Sequence, residues 1–194
     1  MSKIIPRWEW RTFGDDFSKG EDNIIKYGNS RDRKSSEIYI LSSMSNDVTR
    51  IRDELMDLKS PVRINKKTRL VQWTALEKSS FPIPINDLAL VFKAFELKMP
   101  YLDKDEYPCT GYLEELIGNN PELMMVNVDK FRHGYLIDEA IVEITEARFN
   151  EYSTRTIAVE HTDPELILAK KKELTGYENI YYIQAKKRAF GMTY

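Results

Sequence analysis

Trp8-Glu9-Trp10-Arg11-Thr12-Phe13 puts two tryptophans on alternate positions, with a glutamate and an arginine between and after them. Successive side chains of an extended strand point to opposite faces, so Trp8 and Trp10 share one face while Glu9 and Arg11 share the other. Two tryptophans on one face demand burial. The fold turns on what lies opposite, bulk water or an interior. The same period of two recurs along the chain at 37–41 (EIYIL), 48–53 (VTRIRD), 55–59 (LMDLK), 69–75 (RLVQWTA), 125–132 (MVNVDKFR), 139–147 (EAIVEITEA) and 154–160 (TRTIAVE). These segments are β-branched, aromatic or alternating, and together they predict eight strands.

Three segments carry helical spacing instead. Residues 87–98 (DLALVFKAFELK) stop before Pro100, residues 111–117 form a short helix ended near Gly118, and a third helix starts at Pro164 behind Asp163 and ends near Gly176. Asp163 suits an N-cap and Gly176 suits the residue just past a C-terminus. The first of these sits mid-chain, with strands on both sides, which implies an α+β arrangement of two β halves joined by a helical link rather than a βαβ sheet. Residues 178–190 read equally as strand or helix.

Composition narrows the function classes. A chain of 194 residues with 42% hydrophobic and 31% charged residues is neither membrane-like nor disordered, and fits one domain over residues 1–194. The first seven residues hold no apolar run of secretory length and Cys109 stands alone, so we expect a cytoplasmic protein. With 29 basic against 31 acidic residues, no global field draws in nucleic acid or an anionic membrane. Any anion site must be local.

The basic residues do pair locally. Arg50 and Arg52 point together, Lys59 follows on the next strand, and Lys130 and Arg132 point together later. On one concave wall such guanidinium and ammonium groups would converge on phosphate oxygens. Glu9, Glu37, Glu139, Glu143 and Glu160 supply carboxylates that a hard divalent cation shared with phosphate would need. Periodicity alone leaves a second reading open, in which these pairs are solvated faces of an ordinary sheet.

The order of these motifs adds a resemblance. Glu9-Trp10-Arg11, Arg50-Ile51-Arg52, Leu58-Lys59, Lys130-Phe131-Arg132 and Thr156-Ile157-Ala158-Val159-Glu160 together resemble the CYTH domain of the triphosphate tunnel metalloenzymes. The resemblance covers most of the chain. It implies an antiparallel eight-stranded β-barrel, a tunnel in two halves with surrounding helices. It also implies phosphate binding by Arg11, Arg50, Arg52, Lys59, Lys130 and Arg132, and Mg²⁺ or Mn²⁺ binding by Glu9, Glu143 and Glu160. The implied activity is divalent-metal-dependent hydrolysis of inorganic triphosphate, polyphosphate or a nucleoside or thiamine triphosphate. The alternatives are a non-catalytic polyanion- or nucleotide-binding module and a class IV adenylate cyclase-like activity. The expected partner is a triphosphate-containing small molecule or polyphosphate, without membrane or nucleic acid, and a homodimer is left open.

This sequence departs from the family pattern in four places. Arg7 stands where the first glutamate of an E-x-E-x-K strand would be, Arg11 replaces its lysine, Ala158 occupies a position often acidic, and Thr145 follows Glu143 where a second acid is common. The basic walls look complete and the acidic set depleted.

Other motifs carry less. One Cys and two His cannot build a structural zinc site, and neither a P-loop nor a G-x-G-x-x-G turn is present. His133, with Asp129 or Asp138 as an orienting carboxylate, and His161 both read as ordinary turn or strand-end residues. Cys109 reads as inert. The run 186–188 (KKR) reads as a solvated helix face, and Tyr177, Tyr181, Tyr182 and Tyr194 read as packing residues.

Overall fold

The computed structural model describes residues 6–174, 176–180, 182–189 and 191. Met1 to Ile5, and with them most of the N-terminal stretch used for the compartment expectation, lie outside the described residues, as do Tyr181, Phe190 and Tyr194. Eight strands form a closed barrel: β1 (Trp8–Gly14), β2 (Arg31–Ser42), β3 (Val48–Arg52), β4 (Leu55–Ile64), β5 (Val71–Ser80), β8 (Leu123–Ile137), β9 (Ala140–Phe149) and β10 (Tyr152–His161). Their order around the barrel is β1-β10-β9-β8-β2-β3-β4-β5, and β1 pairs with β5 to close it. A small antiparallel pair, β6 (Ile83–Pro84) with β7 (Glu106–Tyr107), lies apart from the barrel.

All eight expected strands are present, most of them longer than their apolar alternation. β2 begins six residues early because Arg31 to Ser36 are polar on both faces and carry no periodic signal. Three expected strand ends, Asp53, Arg69 and Glu139, lie in turns instead. Arg69 has φ of +60°, and Glu139, with φ of +68°, follows Asp138 at +46° in the two-residue turn between β8 and β9. Consecutive left-handed residues are what a tight hairpin needs to match strand twist. Asp53 and Glu54 do the same between β3 and β4.

The helices are α1 (Ser18–Ile25), α2 (Ile85–Ala94), α3 (Cys109–Gly111, continued by the π-helical turn Tyr112–Ile117), α4 (Pro164–Leu174) and α5 (Tyr182–Ala189). α4 starts where expected, with the Glu165 amide donating to Asp163 Oδ1 at 2.9 Å. It ends where Gly176, at φ of +71°, donates its amide to the Lys171 carbonyl. Of the ambiguous segment 178–190, residues 182–189 are helix. α1 has no forerunner in the sequence reading, because of its residues only Gly20 and Ile24 are buried and no apolar stripe shows.

The chain divides into two compact units that interleave in sequence rather than following its two halves. The first comprises residues 1–35, 61–73 and 129–185. Its core sets Trp10, Val142, Ile144, Ile157 and Val159 from β1, β9 and β10 against Phe17, Ile24, Ile167 and Leu174 from around α1 and α4. The second comprises residues 36–60, 74–128 and 186–194. There Ile40, Ile51, Met56 and Leu58 from β2 to β4 pack on Leu88, Val91, Phe92 and Phe95, whose i, i+3, i+4, i+7 spacing gives one apolar face.

In both units the apolar strand face lies beneath helices, outside the barrel wall. The charged faces are therefore turned inward, which answers the question posed by Trp8 to Phe13.

Candidate functional site

In the first unit the inner face of β1, β10 and β9 can be read from their register. Glu9 pairs with Glu160, Arg11 with Ala158, and Ala158 in turn with Glu143. Directly opposed residues of an antiparallel pair share a face, so Glu9, Arg11, Glu143, Ala158 and Glu160 form one patch.

Arg11 organises it. Its Nε lies 3.2 Å from Glu9 Oε1 and its Nη2 3.5 Å from Glu143 Oε2, while Nη1 donates to Thr156 Oγ1 at 3.4 Å. The guanidinium reaches Glu143 across Ala158, whose methyl leaves the lane between them open. Glu160 is held more loosely, 4.0 Å from the exposed Arg7. Burial works against the charge on Arg11, and the Glu9 and Glu143 carboxylates outweigh it, holding the proton more firmly than in water. Burial pushes the Glu160 carboxyl up to about 7, repulsion from Glu9 and Glu143 adds to this, and Arg11 and Arg7 oppose it. The Thr145 hydroxyl, on the same face of β9, is buried without a hydrogen-bond partner.

Further along this unit, Lys130 is buried and Arg132 Nη2 donates to Ser35 Oγ at 3.0 Å. Alternation along β2 puts Arg33 on the face of Ser35, a basic residue the sequence reading passed over because its segment lacks apolar neighbours.

The second unit has the same construction with the opposite charge balance. Tyr39, Arg50 and Asp57 are aligned across β2, β3 and β4, and Lys59 shares their face two residues beyond Asp57. Arg50 is ion-paired with Asp57, and Arg52 Nη1 lies 3.4 Å from Glu37 Oε1, the Glu37 side chain being wholly buried. Tyr39 donates its hydroxyl to the other Glu37 oxygen at 2.9 Å, and Lys78 stands 3.8 Å from Asp57. Lys186 of α5, itself fully buried, sits with Nζ 3.0 Å from the Tyr39 ring centroid. Lys187 is buried too and donates to the Ser45 carbonyl at 2.7 Å. The C-terminal lysines are thus not the solvated face expected of them. A helix with Ile183, Lys186 and Lys187 buried is held along that side.

The sequence-derived candidates therefore divide. Glu9, Arg11, Glu143, Glu160, Lys130 and Arg132 belong to the first unit, and Arg50, Arg52 and Lys59 to the second. Glu37, Tyr39, Asp57, Lys78 and Lys186 join the second set. Glu37 alone was legible beforehand, by alternation, and the others needed the register.

The donor set does not fit a divalent metal as it stands. A hard cation needs converging carboxylate oxygens, whereas Arg11 already spans Glu9 and Glu143. Among the described residues no three His, Cys, Asp or Glu side chains are grouped to hold an ion. The minor candidates are accounted for locally. His133 Nδ1 pairs with Asp32 at 2.9 Å rather than with Asp129 or Asp138, which engage Arg148 and Lys170. His161 Nδ1 accepts the Asp163 amide, and burial raises the Cys109 thiol away from reactivity. No described helix is long and apolar enough to cross a membrane.

No protein-family model and no curated protein matches the chain. Among solved structures it is similar to HpAC1 from Hippeastrum, an adenylyl cyclase candidate described as having a dominant triphosphatase activity. That likeness has 11% identity, covers 97% of each chain and has a TM-score of 0.52. It is also similar to an adenylate cyclase candidate from Bacillus halodurans, at 12% identity over 98% of this chain and 93% of that one, TM-score 0.48. The PH1012 protein from Pyrococcus horikoshii OT3 matches at 16% identity over 92% and 98%, TM-score 0.49. Identity this low speaks to architecture alone, which in this chain is a closed eight-stranded antiparallel barrel.

Proposed function

We propose that this protein binds a triphosphate-class phosphoanion on the basic inner face of its second unit. The observation that carries the reading is charge excess held in place. Among the described residues of that face Arg50, Arg52, Lys59, Lys78 and Lys186 stand against Asp53, exposed and 3.8 Å from Arg52, and the carboxylates of Glu37 and Asp57. The latter two carboxylates are buried and fix the two guanidinium forks, so little side-chain entropy remains to be lost when a phosphate arrives. Lys130, Arg132 and Arg33 supply a second basic stretch in the first unit. The triphosphatase activity described for HpAC1 supports a triphosphate over a single phosphate.

Calorimetric titration with tripolyphosphate, pyrophosphate and ATP tests this. Tripolyphosphate should bind most tightly, and Arg52→Glu and Lys59→Glu should each weaken it by about tenfold or more. Unchanged affinity in both folded variants refutes the assignment of those residues. A second reading, metal-dependent hydrolysis or cyclisation of a triphosphate, is favoured by Glu9, Glu143 and Glu160 sharing one inner face. Phosphate release or cyclic product with Mg²⁺ or Mn²⁺ would establish it, and no turnover on any triphosphate leaves the binding function alone.

A further inference from the structure

We propose that Arg11 is the resident cation of the acidic patch on β1, β10 and β9. It takes the place a divalent ion would need, so that this chain binds its phosphoanion without metal. The inference rests on the anion-binding reading above and concerns how that binding is balanced.

Three observations carry it. The first is the register, in which Ala158 stands between Arg11 and Glu143 with its side chain wholly buried. A branched or long side chain there would block the lane; alanine leaves it to the guanidinium. The second is the contact set. Arg11 meets Glu9 through Nε and Nη2, at 3.2 and 3.3 Å, and Glu143 through Nη2 at 3.5 Å, with Thr156 closing the remaining side. Both carboxylates that flank the lane are thereby already engaged by one planar fork, which sets a single positive charge between them. The third is burial: Arg11 is 6% exposed. A guanidinium does not release its proton in this range, so a metal entering between Glu9 and Glu143 would strand a buried charge rather than discharge it. Glu160, the remaining carboxylate, stands opposite Glu9 in the register, with the exposed Arg7 4.0 Å away.

The test is Mn²⁺ binding followed by electron paramagnetic resonance with no phosphate present. Wild type should show no site tighter than the low-millimolar range, and Arg11→Met should gain about tenfold or more in Mn²⁺ affinity, with the gain abolished by adding Glu143→Gln. Tight Mn²⁺ binding by wild type, lost in Glu143→Gln, overturns the proposal, and so does a folded Arg11→Met protein with no gain. If Arg11→Met fails to fold, the wild-type titration still decides. Tripolyphosphate titrated into wild type in EDTA and then in Mn²⁺ gives the second readout. Equal affinity supports the resident cation, and a tenfold or larger gain on metal refutes it. Absence of tripolyphosphate binding in both buffers would instead remove the anion-binding reading, leaving the Mn²⁺ result to judge Arg11 separately.

Discussion

Glu160 makes the stability of this protein depend on pH in a direction opposite to that of most carboxylates. Its proton is held up to about 7 in the folded chain, by burial first and by Glu9 and Glu143 next, against an ordinary value of 4.5. Between those two values the folded state keeps a proton that the unfolded state has released. The contribution is therefore complete below pH 4.5 and is lost as pH rises through about 7. At about 1.36 kcal/mol for each pH unit the full span corresponds to about 3 kcal/mol. The side chain is 26% exposed and shares its field with two other glutamates, so about 2 kcal/mol is the size to look for. Glu160→Gln keeps the shape and removes the titration. Urea unfolding of both proteins at pH 5, 6, 7 and 8 should show the variant gaining on wild type by about 2 kcal/mol between pH 5 and pH 8. Titrating groups that do not interact with Glu160 cancel in the difference. A difference that stays flat, or that favours wild type at high pH, would mean that Glu160 does not face Glu9 and Glu143 as described.

Other expectations follow from the same geometry. Trp10→Ala should cost about 3–5 kcal/mol in two-state unfolding, and a loss below about 1 kcal/mol would show that the tryptophan face is not covered. Arg52→Gln removes the ion pair to the wholly buried Glu37 carboxylate, so unfolding should become easier by about 1–3 kcal/mol while tripolyphosphate affinity falls. Unchanged stability would argue against the Arg52–Glu37 pair. Ala158→Leu fills the lane that Arg11 crosses and should destabilise by about 1–3 kcal/mol, whereas Ala158→Ser should be tolerated; equal behaviour of the two would refute the crossing.

The eight strands were legible because their apolar halves lie under helices, which imposes a period of two strong enough to survive in a single sequence. What escaped lacks that asymmetry. Arg31 to Ser36 extend β2 with polar residues on both faces, and α1 buries Ile24 and Gly20 without a stripe. Lys186 and Lys187 read as solvated because lysine side chains usually are, and only their positions against Tyr39 and the Ser45 carbonyl show otherwise. The direction of the charged face could not be read from β1 alone, since alternation is identical whether the polar side meets bulk water or the inside of a barrel. Helices packed on Trp10, Ile157 and Val142 decide it.

The acidic patch needed one thing more than faces, namely register. Read along the chain, Arg11 in place of lysine and Ala158 in place of an acid are separate departures, of which the second removes a carboxylate and the first exchanges one base for another. Across the sheet they are neighbours, paired residue to residue, with Glu143 on the far side of Ala158. The missing acid opens the space into which the longer base extends. Each change makes physical sense in the presence of the other: an acid at 158 would crowd the guanidinium, and a shorter cation would fall short of Glu143. On the proposal that Arg11 is the resident cation, the two departures amount to one arrangement, with positive charge covalently attached to the site instead of recruited from solution.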